Sequence, residues 1–372
     1  MSFTSSGVRY SGTLACVGCL CWDMRDIEHA LPTVRMAERN KRPGVQYALT
    51  DDGVELPVID ITHPAFLLSL EPALLQAMSA GFLVHARMRA RMPAFLYRFL
   101  LRKSVLAQHL READERSFLG GVETYLFKLG PENLGSMFPH PIDRKIAASI
   151  PAVSMRLRLQ DMARLMADAV LPMLTTSEAA RPLILINLAG GPSIDSLNAV
   201  ILLQQERPEL LANRPVRIHA LDLEPKGASF GARALAALRE PGSPLHGLDV
   251  SLTYRHYDWT QAADLSRTLE QLTIDGAPVV ALSSEGGLFE YGDDQAVMSN
   301  LRAVHASTPV NTTVTGSVTS DNELIRLFQK TSRVPLQPRS AAAFEGLVES
   351  AGFTVMRSIE RPLCRDVQLA KR

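Results

Sequence analysis

The chain has 372 residues, with 39 basic and 39 acidic side chains and therefore no formal net charge. Hydrophobic residues make up 46% of the chain and charged residues 21%. This composition is typical of folded globular proteins and excludes a disordered chain, a collagen-like fibre and a strongly basic nucleic-acid-binding protein.

The first 50 residues give few structural signals. Cys16, Cys19 and Cys21 lie close together, and the fourth cysteine is Cys364. Since no second Cys-x-x-Cys pair completes a zinc site, we expect no metal and interpret the cysteines as reduced thiols of a cytoplasmic protein. The segment up to Trp22 lacks the charged start of a signal peptide, and no run of about 18 apolar residues predicts a membrane span.

A short hairpin is predicted to precede a helical unit. The turn pair Asp52-Gly53 lies between strand-like runs within residues 47–60,. Apolar residues at spacings of three and four then predict helices from about 64 to 170. The arginines of residues 83–112 are followed by acidic residues, which favours amphipathic helices with a solvated basic face over a nucleic-acid or membrane surface. We expect residues 1–170 to form a mostly helical substrate or lid domain.

From residue 171 onward, strands and helices alternate. The apolar run 183–188 is typical of a buried parallel strand. Further strands are predicted at 216–222, 250–258, 278–283, 311–318, 352–359 and 364–370, with helices at 194–205, 228–239, 294–306 and 341–350 and another ending near 272. Such repeating units predict an α/β domain with a parallel sheet covered by helices, over residues 171–372. The short link between the last two strands makes them antiparallel neighbours.

Two of the predicted strand ends carry groups that suit a nucleotide-like cofactor. After the first strand, Gly190 and Gly191 let the backbone approach a ligand, and the next helix offers its N-terminal amides. Asp222 ends the second strand, where a carboxylate can accept hydrogen bonds from both ribose hydroxyls; Glu224 is the alternative. Asp222 lies 31 residues beyond Gly191, compared with roughly 20 in a dinucleotide-binding unit, which disfavours a nicotinamide cofactor.

Residues 183–372 resemble the class I S-adenosylmethionine-dependent methyltransferase family. The resemblance lies in the loop Asn187-Leu-Ala-Gly-Gly-Pro-Ser193, in Asp222, in Tyr257-Asp258-Trp259 and in the terminal hairpin after Gly352-Phe353. It implies a seven-stranded Rossmann-like methyltransferase sheet with a C-terminal antiparallel hairpin, and S-adenosylmethionine as the cofactor. It also implies that Asp258 faces the adenine amino group and that Trp259 packs on the ring. The family loop usually reads acidic-x-Gly-x-Gly-x-Gly, from which Asn187, Ala189 and Ser193 depart.

Two shorter motifs resemble the leucine carboxyl methyltransferase-like branch of that family. Ser284-Glu-Gly-Gly-Leu-Phe-Glu-Tyr291 resembles its Glu-Gly-x-Leu-x-Tyr loop with one additional glycine, and Arg156-Leu-Arg-Leu-Gln-Asp161 matches its Arg-x-Arg-x-x-Asp pattern. The resemblance implies that Arg156 faces the carboxylate of the cofactor and that Glu285 lies near its methionine end. Arg156 and Arg158 point about 200° apart on a helix, so only one of them is expected to reach the cofactor.

The expected activity is methylation of a small molecule, at a carboxylate or a hydroxyl group. A carboxylate needs no general base, whereas a hydroxyl group or an amine can need one. The candidates for this role are His256, Glu290, Tyr291, His140 and His63. Tyr125, Phe138 and His140 are expected to line the lid. The alternatives are an NAD-dependent oxidoreductase and a catalytically silent partner subunit with the methyltransferase fold. The expected partners are the small-molecule acceptor and a second copy in a homodimer, with neither nucleic acid nor a membrane.

Overall fold

A computed structural model of the chain describes residues 41–372, apart from positions 90, 94–98, 100, 117–119, 275–276 and 332–334. The cysteine cluster at residues 16–21 lies outside the described residues. Among the residues that are described, no helix is both long enough and apolar enough to cross a membrane.

The predicted hairpin is present at the start of the described chain. Strand β1 (Tyr47–Leu49) pairs antiparallel with β2 (Glu55–Pro57). Between them, Gly53 has a φ of +77°, which a glycine adopts without strain,. The helices that follow within the described residues are α1 (Pro72–Arg89), α2 (Val105–Arg116), α3 (Gly121–Lys128), α4 (Pro141–Ala147) and α5 (Ile150–Thr176).

Beyond α5, the residues that the structure describes build a seven-stranded sheet in the order β5-β4-β3-β6-β7-β9-β8. Its strands are β3 (Leu183–Leu188), β4 (Val216–Asp222), β5 (Val250–His256), β6 (Val279–Ser284), β7 (Thr313–Thr319), β8 (Phe353–Glu360) and β9 (Cys364–Lys371). The first five strands are parallel, and β9 runs antiparallel between β7 and β8. The predicted fold, a seven-stranded Rossmann-like sheet with a C-terminal antiparallel hairpin, is thus confirmed.

Helices cover both faces of this sheet. They are α6 (Ile194–Glu206), α7 (Pro225–Leu238), α8 (Ala262–Thr273), α9 (Leu288–Tyr291), α10 (Asp294–Ser307), α11 (Glu323–Thr331) and α12 (Ala341–Ser350). Leu183 and Leu185 of β3 share a hydrophobic core with α5, α6 and α7. Ile184 and Ile186 share a second core with α8, α10 and α12. This alternation follows from the two-residue period of a strand, and burial on both faces explains why β3 is apolar throughout.

The N-terminal helices pack directly against the helices and strands of the sheet. Helix α5 runs through residue 170, where the domain boundary is predicted, and contacts β6, β7, β9 and α6. Asp161 of α5 accepts two hydrogen bonds from Arg361, at 2.5 and 2.8 Å. Tyr125 of α3 donates to the carbonyl of Pro57 at 2.6 Å, and its ring meets that of Phe230 edge-on. The N-terminal part is therefore held over the sheet from several sides, and the division into two domains remains a prediction.

Candidate functional site

A cavity of about 250 Å³ lies at the carboxyl ends of β3, β4 and β6. The strand order reverses between β3 and β6, and ligands of open α/β sheets bind at such a switch point. Helix α3 closes the cavity from the N-terminal part of the chain. Its lining consists of Gly120, Gly121, Thr124, Lys128, Ala189, Gly190, Gly191, Pro192, Asp222, Leu223, Glu224, Trp259, Glu285, Gly286, Gly287, Tyr291 and Pro335.

Three glycines bring three backbones into contact at one wall of this cavity. Gly191 has a φ of +61°. A Cβ atom on Gly191 would lie 2.7 Å from the Cα of Gly121, and one on Gly227 would lie 2.7 Å from the Cα of Gly191. Any larger side chain would separate α3 or α7 from the loop. The glycines therefore set how closely helix α3 covers the loop, in addition to leaving room for a ligand.

Asn187 lies beneath the glycine loop and does not line the cavity. Its Nδ2 donates to Asp195 Oδ1 at 2.8 Å and to Ser283 Oγ at 3.0 Å. All three side chains are buried. Burial, together with repulsion from Glu285, raises the pKa of Asp195 to about 6,. In the structure, Asn187 thus joins β3 to α6 and β6.

One end of the cavity is formed by residues at the ends of β4 and β5. Asp222 Oδ2 accepts a hydrogen bond from the Gly191 amide at 3.0 Å, and its Oδ1 accepts one from the Glu224 amide at 3.1 Å. A carboxylate offers about four lone-pair positions, so two remain for a ligand. Burial raises the pKa of Asp222 despite these two amides. Trp259 lines the same end.

Two further candidates near this end are not brought into the lining. Asp258 Oδ1 accepts from the Thr260 amide at 2.9 Å, which closes a local turn,. His256 is exposed, with its Nδ1 at 3.1 Å from the Leu223 carbonyl oxygen. The structure thus brings Asp222, Gly190, Gly191 and Trp259 together and leaves Asp258 and His256 beside them.

The other end of the cavity holds a buried network of four charged side chains. Glu285 Oε2 pairs with Lys128 Nζ, and its Oε1 accepts from Arg158 Nε at 2.8 Å. Arg158 Nη1 also donates to Glu290 Oε1 at 2.9 Å. Burial would raise the pKa of Glu285, but Lys128 and Arg158 hold it below its usual value,. The two positive and two negative side chains are thus buried together, and their charges sum to zero.

Arg158, and not Arg156, reaches Glu285. The guanidinium of Arg156 lies against Gly130, and its Nη1 is 4.0 Å from Glu132 Oε2. Burial lowers the pKa of Arg156, and the Glu132 carboxylate opposes this shift. Arg156 does not line the cavity. As expected from the helix geometry, the two arginines point to different surroundings.

Lys128 is the charged residue of this site that the sequence analysis missed. It is the last residue of α3, 157 positions before Glu285, and lies among apolar neighbours in the sequence. No local spacing links it to the strand ends. Its place depends on the packing of α3 on the glycine loop, so only the tertiary structure reveals it.

The candidates for a general base lie in different places. Tyr291 lines the cavity, and Glu290 lies behind it, paired with Arg158. His140 caps α4, its Nδ1 accepting from the Ile142 amide at 3.3 Å. His63 Nδ1 likewise accepts from the Ala65 amide at 3.1 Å.

The three side chains expected to line the lid are also separated. Tyr125 is buried against Pro57, and Phe138 lines a different cavity, of about 110 Å³, beside the β1–β2 hairpin. His140 lines neither of these two cavities. Within the described part of the chain, no three His, Cys, Asp or Glu side chains are grouped so that they could hold a metal ion.

Comparisons with known proteins find similarity in fold only. No protein-family model matches the chain, and no curated protein matches its sequence. Mitomycin 7-O-methyltransferase MmcR is 13% identical over 72% of this chain and 69% of its own, with a TM-score of 0.36. A possible exported protein from Bordetella parapertussis is 17% identical over 82% and 99%, with a TM-score of 0.48. LepI, in complex with SAH and a substrate analogue, is 13% identical over 53% of this chain; the TM-score is 0.34, and the chain spans 45% of LepI's length.

Proposed function

We propose that the first cavity binds S-adenosylmethionine and that the protein is a methyltransferase that acts on a small molecule. The observation that supports this best is the position of Asp222. Its carboxylate fixes the glycine loop through Gly191 and keeps two lone-pair positions at the cavity wall,. A ribose presents two adjacent hydroxyl groups, which match those two positions.

The remaining lining at this end suits an adenine ring. Trp259 offers an aromatic surface, and an offset stack on such a surface is a favourable arrangement for a second ring,. Gly190 and Gly191 present backbone without side chains on the adjoining wall. Asp258, one residue away, remains the predicted partner of the adenine amino group.

The opposite end suits an amino-acid group that carries both charges. In our proposal the carboxylate of the cofactor pairs with Lys128, and the ammonium group of the cofactor pairs with Glu285. The ion pair between Lys128 and Glu285 is thereby replaced by one ion pair from each side chain to the ligand. Arg158 keeps its contacts with Glu285 and Glu290 and so keeps Glu285 ionised and oriented. This proposal gives Lys128 the role that the sequence predicts for Arg156.

The protein's contribution to the reaction is chiefly orientation and the exclusion of water. Bound in this cavity, the cofactor would supply an activated methyl group on a positively charged sulfur. Helix α3, seated on Gly191, keeps water from the wall of the site, and the Lys128–Glu285 pair fixes one end of the ligand. Positioning of this kind can account for several kcal/mol of a reaction barrier, about 7–11 kcal/mol in the best intramolecular cases.

A catalytically silent partner subunit is the competing proposal, and one observation favours it. Lys128 and Glu285 already satisfy each other, and Gly121 already lies on the glycine loop. A fold that has lost its cofactor would be stabilised by such contacts.

Calorimetric titration distinguishes these proposals. We expect S-adenosylmethionine and S-adenosylhomocysteine to bind at one site, and NAD not to bind. Asp222→Ala should weaken this binding about 5- to 150-fold, the equivalent of about 1–3 kcal/mol for an unpaired hydrogen-bonding group. Asp264→Ala, at an exposed position on α8, is the matched control and should leave affinity unchanged.

The other possible results of the titration favour the competing proposals or refute the ribose assignment. Binding of neither compound would support the silent subunit, and binding of NAD alone would support the oxidoreductase. Unchanged affinity in Asp222→Ala would refute the ribose assignment. The cytoplasmic location and the homodimer remain predictions from the sequence.

A further inference from the structure

A second, smaller cavity lies behind Tyr291. It has a volume of about 70 Å³ and is lined by residues of α5, α11 and the ends of β7 and β9. Tyr291 lines both cavities, and the neighbouring residues Pro335 and Leu336 line the first and the second respectively. The two cavities therefore share a wall, on the side of the first cavity where Glu285 lies.

Most of the second cavity is apolar. Its apolar side chains are Pro151, Met155, Ile325, Phe328, Leu336 and Leu363. An engineered cavity of about 150 Å³ in another protein accepts benzene. A volume of about half that size suits a chain of a few carbon atoms and excludes a polycyclic compound.

Two buried hydroxyl groups of this cavity lack hydrogen-bond partners among the described residues. They belong to Ser154 of α5, which is 3% exposed, and to Thr319 at the end of β7, which is 1% exposed. A serine inside a helix commonly donates to a carbonyl one turn earlier, but Ser154 does not. Buried polar groups in proteins are nearly always paired. Two unpaired hydroxyls on facing elements of one cavity therefore point to a ligand that carries oxygen.

The charges at the wall favour a neutral ligand over an anion. Arg158 lines the cavity, but it is already bonded to Glu285 and Glu290. Glu290 is itself a lining residue, so an added carboxylate would be buried beside a like charge,. Burial raises the pKa of the Cys364 thiol well above its usual value, so this group is neutral.

We infer that the second cavity is the acceptor site and that it takes a short, neutral, largely apolar alcohol. Ser154 and Thr319 bind the hydroxyl oxygen, and the Glu290 carboxylate accepts a hydrogen bond from the hydroxyl hydrogen. In the transfer, the hydroxyl oxygen would form its bond to the methyl carbon while the bond between that carbon and the sulfur breaks, and Glu290 would take the hydroxyl proton. The apolar lining holds the carbon chain and selects its length. This inference rests on the proposed methyltransferase function, since only a methyl donor in the first cavity makes the second one an acceptor site.

Ligand-observed NMR on the full chain tests the inference with three probes of similar size: 1-butanol, butyrate and butylammonium. We expect 1-butanol to bind and the two ions not to bind. Ser154→Ala and Thr319→Val should each weaken binding of 1-butanol at least fivefold. The matched controls, Ser79→Ala and Thr273→Val, remove hydroxyls that donate to helix carbonyls and should leave it unchanged.

Thermal unfolding separates a ligand role from a structural one. Since Ser154 and Thr319 bond to no described residue, Ser154→Ala and Thr319→Val should keep or raise the melting temperature. A fall of several degrees in both variants would assign the hydroxyls to the fold and overturn the inference. Preference for butyrate or for butylammonium over 1-butanol would overturn it as well.

Titration with S-adenosylhomocysteine distinguishes failure of this inference from failure of the proposed function. If that compound binds and 1-butanol does not, the acceptor site is wrong and the methyltransferase proposal stands. If 1-butanol binds and S-adenosylhomocysteine does not, the proposed function fails, and the acceptor role of the second cavity fails with it.

Discussion

The two ends of the first cavity are built in different ways. The Asp222 end consists of residues at or just beyond the ends of their own strands, and Asp222 itself accepts hydrogen bonds from the backbone amides of Gly191 and Glu224. The Glu285 end is assembled across the chain, because Lys128 and Arg158 lie 157 and 127 positions before Glu285. The first arrangement depends on residues at the strand ends, whereas the second depends on how α3 and α5 pack against the end of β6.

This difference has energetic consequences. At the Asp222 end, a substitution removes one hydrogen-bond acceptor from a partly open site. At the Glu285 end, it leaves a buried charge without its partner, which costs about 3–5 kcal/mol. The Glu285 end is therefore expected to control stability more strongly than the Asp222 end does.

The largest expected effect is that of Glu285→Ala on stability. The change leaves Lys128 and Arg158 buried beside each other without the carboxylate between them, so the free energy of unfolding should fall by about 3–5 kcal/mol. Urea denaturation measures this value. Asp264→Ala breaks an exposed pair with Arg267 and should cost at most about 1 kcal/mol. Equal losses in the two variants would contradict the contrast between the buried network and the surface.

The next effect concerns pH and Asp195. Its pKa is about 6 in the folded protein, compared with an ordinary value of 3.8. Between these values the folded state keeps a proton that the unfolded state has lost, so this group makes stability fall as pH rises from about 4 to 6. Asp195→Asn removes that dependence. The free energy of unfolding of the variant, relative to that of the natural chain, should therefore rise by about 3 kcal/mol as the pH increases from about 4 to 6. Parallel denaturation curves at each pH measure the difference. A constant difference would show that Asp195 ionises normally.

The contact between Gly121 and Gly191 should give a smaller effect. Gly191→Ala places a Cβ 2.7 Å from the Cα of Gly121 at a φ of +61°, which should cost about 1–3 kcal/mol through strain and displacement of α3. Gly81→Ala is the matched control. A Cβ at position 81 meets nothing within 4 Å. Because alanine is a better helix former than glycine, this substitution should raise the free energy of unfolding by about 0.5–1 kcal/mol. If Gly191→Ala were as well tolerated as Gly81→Ala, helix α3 would not be seated on the loop.

The smallest expected effect distinguishes the two arginines of α5. Arg158→Lys keeps the charge but cannot bond to both Glu285 and Glu290 as the guanidinium does. Affinity for S-adenosylhomocysteine should therefore fall about tenfold, or about 1.4 kcal/mol. Arg156→Lys, whose guanidinium lies outside the cavity, should change affinity less than twofold. Calorimetry measures both, and the opposite order would restore the role that the sequence predicts for Arg156.

The sequence predicted the elements of the sheet because each strand carries its own local signal. Strand β3 is apolar on both faces, Gly191 follows it, and Asp222 ends its neighbour. The carboxyl ends of neighbouring parallel strands lie at the same edge of the sheet, so residues that end or follow these strands lie close together. The antiparallel pairing of β8 and β9 could also be predicted, because the connection between them is too short for a parallel crossover.

The Glu285 end could be predicted only in part. Glu285 follows β6 directly, so its place at the end of that strand could be predicted, but the choice between Arg156 and Arg158 requires the rotation of α5 about its axis. That rotation is set by packing against β6, β7 and β9 and not by any local spacing. Lys128 depends in turn on how closely α3 approaches Gly191. Asp258 closes a local turn with Thr260 and lies beside the lining of the cavity, and strand position alone does not reveal this placement.

A crystal structure of the chain with S-adenosylhomocysteine tests the central claim most directly. We predict that both ribose hydroxyl oxygens lie within about 3 Å of the Asp222 carboxylate oxygens, with the amino-acid end between Lys128 and Glu285. A ligand bound outside this cavity, or a ribose with no contact to Asp222, would contradict the account.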